Sequence, residues 1–142
     1  MASSNLDSNS ESEYPIYPKE FKKLSIPPKD AHDTNGEFYR LVCCTPPAAD
    51  CFYPTYIEQP GRETKCDNDE ARLMVCGTSF FSDIKQIKRK RSIFKKALGK
   101  KKIAHGMLKP HMGKMKKTGE SGHYTAWLKN ESGVFKFFKE AE

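Results

Sequence analysis

The sequence predicts an α+β fold, with a small and mostly antiparallel sheet, one principal basic helix on its surface and a disordered N-terminal tail. Two observations support this fold class. Several short apolar runs are bounded by Pro, Gly or Asn, a pattern typical of strands. Only one longer segment, residues 83–98, spaces its apolar residues as a helix does. We therefore expect roughly four to six strands around one main helix, which suits a chain of 142 residues that forms a single domain.

The chain begins with a tail and an arm. Residues 1–13 are rich in Ser, Asn and acidic residues. Such a composition buries too little apolar surface to offset the entropy of ordering, so we expect a disordered tail. Residues 14–36 are rich in proline and predict an arm that lies across the domain, with a short helix beginning at Pro18. Residues 37–142 then form the single α+β domain.

Five apolar runs are predicted as strands, at residues 38–44, 72–76, 102–108, 123–128 and 134–138. The first, FYRLVCC, is apolar apart from Arg40 and predicts a strand buried on both faces. Pro54 demotes residues 51–59 to an edge strand or an irregular segment. Residues 109–122 are predicted as a loop rich in Gly and Lys, and the last two runs as a hairpin.

The helix predicted at residues 83–98 has Ser82 or Asp83 as its N-cap and Gly99 just beyond its end. Its apolar stripe is narrow and is interrupted by Arg91. A narrow stripe predicts a helix that lies on a surface with most of its circumference in water.

The strongest signal in the sequence is the distribution of charge. The chain has 25 basic and 18 acidic residues, yet residues 85–117 hold 14 basic and no acidic ones. Such a segment predicts an electropositive surface that binds phosphates and releases their counterions. We therefore expect a small nucleic-acid-binding protein, with RNA, DNA or another polyanion as its partner. The residues expected to contact phosphates are Lys85, Lys88, Arg89, Arg91, Lys95, Lys96, Lys100, Lys101, Lys102, Lys114, Lys116 and Lys117.

The basic segment is open to other interpretations. It would also serve as the surface of an adaptor for an acidic protein partner, or as a solvated face without a partner. In a eukaryotic cell the run KRKR would in addition resemble a nuclear import signal. No RRM, KH or C2H2 signature accompanies the segment, so nucleic-acid binding would be driven by charge and weakly specific for sequence.

A second group of residues suggests chemistry on a nucleotide. In CGTSFF, Thr78 and Ser79 follow a glycine before a helix, where hydroxyls and amides form a seat for an anion. In FYRL, Arg40 lies in an apolar strand and needs an anionic partner, either a ligand or Glu70. The order of FYRL and CGTSFF is similar to that in the ADP-ribosyltransferase fold. The resemblance implies NAD as the cofactor, framed by the arginine, the Gly-Thr turn and a downstream Glu or His.

His123 supports a further enzymatic hypothesis. In a strand it shares one face with Thr125 and Trp127. A histidine beside lysines suits a metal-free ribonuclease, in which it removes the proton of a 2′-hydroxyl while lysine stabilises the phosphate. Both enzymatic hypotheses describe a toxin-like enzyme with Arg40, Ser79 and His123 as candidate catalytic residues. The alternative is that these residues have structural roles, with Trp127 in the core.

The five cysteines have no repeating spacing and no C-x-x-C motif. We therefore expect reduced thiols, no metal site, and no cofactor apart from NAD in the transferase hypothesis. Cys43, Cys44 and Cys76 are interpreted as small hydrophobic residues on buried strands. There is neither a secretory h-region nor an apolar run of about 18 residues. The sequence thus predicts a soluble, intracellular and cytoplasmic protein that does not contact a membrane, or a nuclear one in a eukaryote.

Overall fold

One large sheet organises the fold. The computed structural model describes residues 13–119 and 122–141, so all but the last residue of the predicted tail lies outside the described residues. The strands are β1 (His32–Asp33), β2 (Gly36–Val42), β3 (Thr78–Phe81), β4 (Lys102–Leu108), β5 (Gly113–Lys117), β6 (His123–Leu128) and β7 (Phe138–Glu140). They form a seven-stranded sheet in the order β1-β5-β6-β3-β2-β4-β7, with every neighbouring pair antiparallel. The mixed α+β class is confirmed, whereas the sheet is larger than predicted.

Helices and single 3-10 turns connect the strands. The helices are α1 (Thr55–Glu58), α2 (Asp69–Val75), α3 (Ile84–Ile93) and α4 (Lys95–Leu98). The 3-10 turns are Lys19–Phe21, Ala49–Phe52, Arg62–Lys65, Pro110–Met112 and Val134–Phe137. In the part of the chain that the structure describes, no helix has the length and apolar character needed to cross a membrane.

The segment predicted as one helix at residues 83–98 is divided into α3 and α4. Asp83 caps α3 by accepting a hydrogen bond of 2.8 Å from the Lys85 N–H. The helix ends at Phe94, whose backbone angles of φ −103° and ψ 49° are not helical. The cap was therefore predicted from the sequence, but the break in the helix was not.

The prediction of a strand at residues 72–76 is wrong, because these residues continue α2. Asn68 caps that helix by accepting a hydrogen bond of 2.8 Å from the Ala71 N–H, and two acidic residues follow in the first turn. A short apolar run does not by itself distinguish a packed helix from a strand. Here the N-cap at Asn68 favours the helix. Residues 51–59, predicted as an edge strand or an irregular segment, hold the end of a 3-10 turn and α1.

The predicted hairpin near the C-terminus is also wrong. The predicted loop at residues 109–122 contains β5, which pairs with β6, while β7 pairs with β4. Gly106 permits this second pairing, since a Cβ there would collide with the Phe137 carbonyl and lie 2.6 Å from Cγ of Phe138. Proximity in sequence favoured a hairpin, whereas the last strand pairs with β4, where a glycine leaves room for its backbone.

One face of the sheet packs onto a large apolar core. Phe38 and Phe80 from adjacent strands meet there with ring centroids 6.3 Å apart, and Phe52 stacks on Phe80 at 6.2 Å. Side chains of β2 alternate between buried and less buried positions, so this strand is not buried on both faces as predicted. Other members of the core are Val42, Cys51, Ala104, Leu108, Met112, Met115, Ala126, Val134 and Phe138.

The opposite face is covered in two places. Ile87 of α3 is fully buried in a cluster with Phe81 and Ile103. Further along the sheet, Trp127 packs in a cluster with Phe21 of the arm and Val75 of α2. The part of the face between these two clusters is left open.

Candidate functional site

A cavity of about 760 Å³ occupies this open part of the sheet. Helices α1 and α2 contribute one wall and the α3–α4 segment contributes the other. Arg40, Ser79 and His123, the three residues predicted as catalytic, all line it, together with Phe81. Its volume is within the range of about 300–1,000 Å³ that is typical of ligand sites.

Arg40 is held between β2, β3 and α1. Strands β2 and β3 pair at one register position, Tyr39 with Phe81, next to Arg40 in the chain. Its Nε donates to the Cys51 carbonyl at 2.8 Å, Nη1 to the Ser79 carbonyl at 2.9 Å, and Nη2 to Oε2 of Glu58 at 2.8 Å. The predicted carboxylate partner, Glu70, is therefore wrong, and the partner is Glu58. Burial lowers the pKa of Arg40, and the Glu58 carboxylate opposes this shift.

Ser79 and His123 form a hydrogen-bonded pair at the base of the cavity. Ser79 Oγ lies 3.2 Å from His123 Nε2, and His123 Nδ1 lies 3.1 Å from the carbonyl of Thr118. Nδ1 also lies 2.9 Å from the hydroxyl of Thr118, which can donate to the Thr125 hydroxyl at 2.8 Å. A proton on Nδ1 suits the carbonyl, which can only accept, and in that tautomer Nε2 accepts a hydrogen bond from the Ser79 hydroxyl. Burial lowers the pKa of His123, and the charge of Lys90 adds to this effect, against the Thr118 hydrogen bond. A neutral imidazole so oriented is suited to general-base chemistry.

Cationic side chains line the walls of the cavity. Arg62 lies on one wall, with Lys90 and Lys101 on the other. Lys90 places its Nζ 5.4 Å from the centroid of the Phe81 ring, and burial followed by repulsion from Arg62 lowers its pKa. Lys101 lies 3.9 Å from the carboxylate of Glu58. Neither Arg62 nor Lys90 was predicted as a site residue, because nothing in the sequence indicates which cations face inward.

The predicted phosphate contacts lie on two separate parts of the molecule. Exposed side chains on and after α3 and α4 are those of Lys85, Lys88, Arg89, Lys95, Lys96 and Lys100. By contrast, Lys114 and Lys116 lie on β5, where they donate to Asp33 at 2.7 Å and to Asp30 at 2.8 Å. Lys117 is exposed at the end of the same strand.

The remaining predicted cations lie near the start of β4. Arg91 is half-buried and donates from Nη1 to the Lys101 carbonyl at 3.1 Å. Lys102 is exposed and lies 4.0 Å from the Glu140 carboxylate. Arg91 therefore connects α3 to the residue before β4, whereas Lys102 lies between β4 and β7.

Several residues near the predicted site have structural roles instead. Thr78 is buried and donates to the Phe52 carbonyl at 2.9 Å. Trp127 is buried in the core and donates from Nε1 to the Leu73 carbonyl at 2.9 Å. His105 stacks on a neighbouring tyrosine ring at 4.7 Å and does not line the cavity.

The ADP-ribosyltransferase resemblance implies an arginine, a Gly-Thr turn and a downstream Glu or His around a dinucleotide. His123 provides the downstream histidine beside Arg40 and Ser79. No downstream glutamate lines the cavity in the described part of the chain, since Glu131 borders a separate cavity of about 190 Å³ and Glu120 lies outside the described residues.

The chain was compared with protein-family models, with curated proteins and with solved structures. None of the three comparisons gave a match. The geometry of the cavity and its surroundings therefore carries the functional argument.

A group of three cysteines lies next to Arg40. Cys43 and Cys44 are exposed at the end of β2, which contradicts their interpretation as buried hydrophobic residues. Their sulfur atoms lie 3.6 Å and 3.7 Å from Sγ of Cys51. Burial raises the pKa of the Cys51 thiol, but hydrogen bonds from the Ala48 N–H and from the other two thiols bring it below its ordinary value. The sequence did not indicate this group, because the turn at residues 45–50 brings the thiols together.

Proposed function

We propose that this protein binds nucleic acid through the exposed basic surface of α3, α4 and the residues that follow them. The proposal rests on the solvent exposure and the ion pairing of these cations. Five of them are exposed and form no ion pair within the described part of the chain, namely Lys85, Arg89, Lys95, Lys96 and Lys100. Charges that the protein itself leaves unneutralised are available to phosphates.

Apolar groups accompany these cations. Ile93 is 66% exposed and Phe94 is 54% exposed, and both lie at the junction between α3 and α4. Cations interleaved with an exposed aromatic ring suit a single strand, whose phosphates track the charges while a base stacks on the ring. Phe94 also borders the cavity, so a nucleic-acid strand bound to this surface would pass the opening of the cavity.

The proposal narrows the predicted set of contacts. We regard α3 as the principal basic helix of the fold, and its cations as the principal phosphate contacts. Lys114 and Lys116 are less suited to this role because each is already paired with a carboxylate of the arm. A single-stranded nucleic acid is therefore the preferred ligand, and it would lie along α3 and α4 rather than along β5.

The proposal is tested by fluorescence anisotropy with a short labelled single-stranded RNA at several salt concentrations. The variant Lys95→Ala/Lys96→Ala is compared with Lys114→Ala/Lys116→Ala, which changes the net charge by the same amount. Each lost contact to a single strand lowers the slope of log K against log salt by about 0.7, so the first variant should lose about 1.4. The second variant should keep the slope of the unmodified protein. Equal changes in both would refute the assignment to α3 and α4, and absence of binding at low salt would refute nucleic-acid binding altogether.

The Ser79–His123 pair favours a second candidate function, cleavage of the bound RNA without a metal. In this hypothesis Nε2 of His123 removes the proton of a 2′-hydroxyl, and that oxygen attacks the adjacent phosphorus. The 5′-oxygen leaves with a proton from the ammonium group of Lys90, whose lowered pKa makes it a better acid. Arg40 acts as a positioning residue, because its hydrogen bonds hold Ser79 and α1 around the cavity.

Cleavage is distinguished from binding by His123→Gln, with His105→Gln as the control outside the cavity. An enzyme should lose product formation in the first variant while RNA affinity is kept, and the control should be unaffected. A protein that only binds shows no product in any variant. Binding of an acidic polypeptide that RNA does not displace would instead support an adaptor. Binding of NAD in the cavity would support the transferase hypothesis.

A further inference from the structure

The thiols of Cys43, Cys44 and Cys51 are arranged as ligands of one metal ion. All three sulfur atoms lie within 4.8 Å of one another. A Zn²⁺ ion with tetrahedral geometry and Zn–S bonds of about 2.3 Å holds its sulfurs about 3.8 Å apart. The two shorter separations, 3.6 Å and 3.7 Å, are close to this value, so little movement is needed to place an ion between the thiols.

The surroundings fit a site built on the fold rather than a chance meeting of side chains. Cys43 and Cys44 follow directly after β2, at the end of a strand within the sheet. Cys51 is 2% exposed and lies in the 3-10 turn, with its sulfur 3.5 Å from the Ala48 N–H. One ligand is thus rigid and buried, and two are accessible from solvent. An ion could enter from the exposed side without unfolding of the core.

A buried arginine lies next to the cysteine group. The guanidinium of Arg40 donates from Nε to the Cys51 carbonyl at 2.8 Å. Three thiolates around a divalent ion leave one net negative charge, and this charge would lie close to a guanidinium that is already paired with Glu58. The same contact connects the cysteine group to the cavity, because Arg40 also holds Ser79 and Glu58.

We propose that Cys43, Cys44 and Cys51 bind one thiophilic metal ion of the zinc class. Thiolate ligands select soft ions such as Zn²⁺ and Cu(I) over Mg²⁺ and Ca²⁺. Among the described residues no fourth His, Cys, Asp or Glu belongs to the group, so a water molecule or a small exogenous ligand completes the coordination. The bound ion holds the segment between β2 and the 3-10 turn closed, and with it the Cys51 carbonyl that positions Arg40. This inference does not depend on nucleic-acid binding.

The test uses the full chain, without bound metal, in a non-thiol reductant with oxygen excluded. Titration with Co²⁺ should produce a thiolate-to-metal charge-transfer absorption that saturates at one ion per chain, and Zn²⁺ should displace it. Cys51→Ser should weaken binding at least about 100-fold, beyond the range of about 10–100-fold seen for residues that only support a ligand. Cys66→Ser is the matched control and should bind as the unmodified protein does.

A second variant, Cys43→Ser/Cys44→Ser, guards against misfolding, because both side chains are exposed. It should lose the absorption and also the rise in Tm that Zn²⁺ causes in the unmodified protein. The proposal is overturned if either ligand variant binds like the Cys66 control, or if no absorption develops. It is also overturned if two of the three thiols remain oxidised to a disulfide in the reductant.

Discussion

The buried ion pair between Arg40 and Glu58 leads to a prediction about stability. Glu58→Gln removes the carboxylate charge but keeps an oxygen that accepts a hydrogen bond. Arg40 is only 5% exposed, so the guanidinium that remains would have no adjacent countercharge. Loss of one member of a fully buried pair costs about 3–5 kcal/mol.

The expected cost is smaller here, for two reasons. Glu58 is 26% exposed, so water already screens part of the attraction. Arg40 also keeps its hydrogen bonds to two carbonyls, and the amide replaces the third acceptor. We therefore expect a loss of about 2 kcal/mol in the free energy of unfolding, or a fall in Tm of about 6 °C for a domain of this size.

Urea denaturation at neutral pH, followed by circular dichroism, measures this loss as a lower midpoint at an unchanged slope. The matched control is Glu70→Gln, an exposed carboxylate in the first turn of α2, which should change the stability by less than about 0.5 kcal/mol. The double variant Arg40→Met/Glu58→Gln removes both charges, and it should be more stable than the sum of the two single changes by about 1–2 kcal/mol. The reasoning fails if Glu58→Gln costs no more than the control, or if the two changes are additive.

Two other outcomes follow from the sheet. Gly106→Ala should destabilise the protein by at least about 2 kcal/mol in the same denaturation assay, because the new methyl group collides with the Phe137 carbonyl. The control Met107→Ala, on the exposed side of β4, should cost less than about 1 kcal/mol. The pKa of His123 is lowered by burial, so the folded protein binds fewer protons than the unfolded chain as the pH falls through the ordinary value of 6.5. The contribution of the neutral imidazole to the free energy of unfolding is therefore fully present above that pH and is lost as the pH falls below it. In His123→Gln the free energy of unfolding, measured by denaturation across the same pH range, should decrease less. A pH dependence unchanged by this substitution would contradict the buried, neutral imidazole.

Much of the local structure could be predicted from the residues. Strands β4 and β6 begin and end where the sequence indicated, because each is bounded by turn-forming or charged residues. The cap of α3 was predicted correctly because an aspartate there has one favourable partner, the free N–H groups of the first turn. Predictions failed where a segment has no characteristic period. The run RLMVC suits either a helix or a strand, and β5, GKMKK, has a single large apolar side chain to mark it.

The functional residues divide in the same way. Residue types already indicated that Arg40 needs an anionic partner and that the segment from residue 85 to 117 is strongly basic. They did not indicate that the partner is Glu58, because this contact forms only when α1 packs against β2 in the folded chain. Likewise, the pairing of β3 with β6 brings Ser79 next to His123. The turn at residues 45–50 brings Cys51 next to Cys43 and Cys44, which follow β2. Local patterns and charge are properties of neighbours along the chain, whereas a site consists of contacts between distant residues, which only the packed sheet brings together.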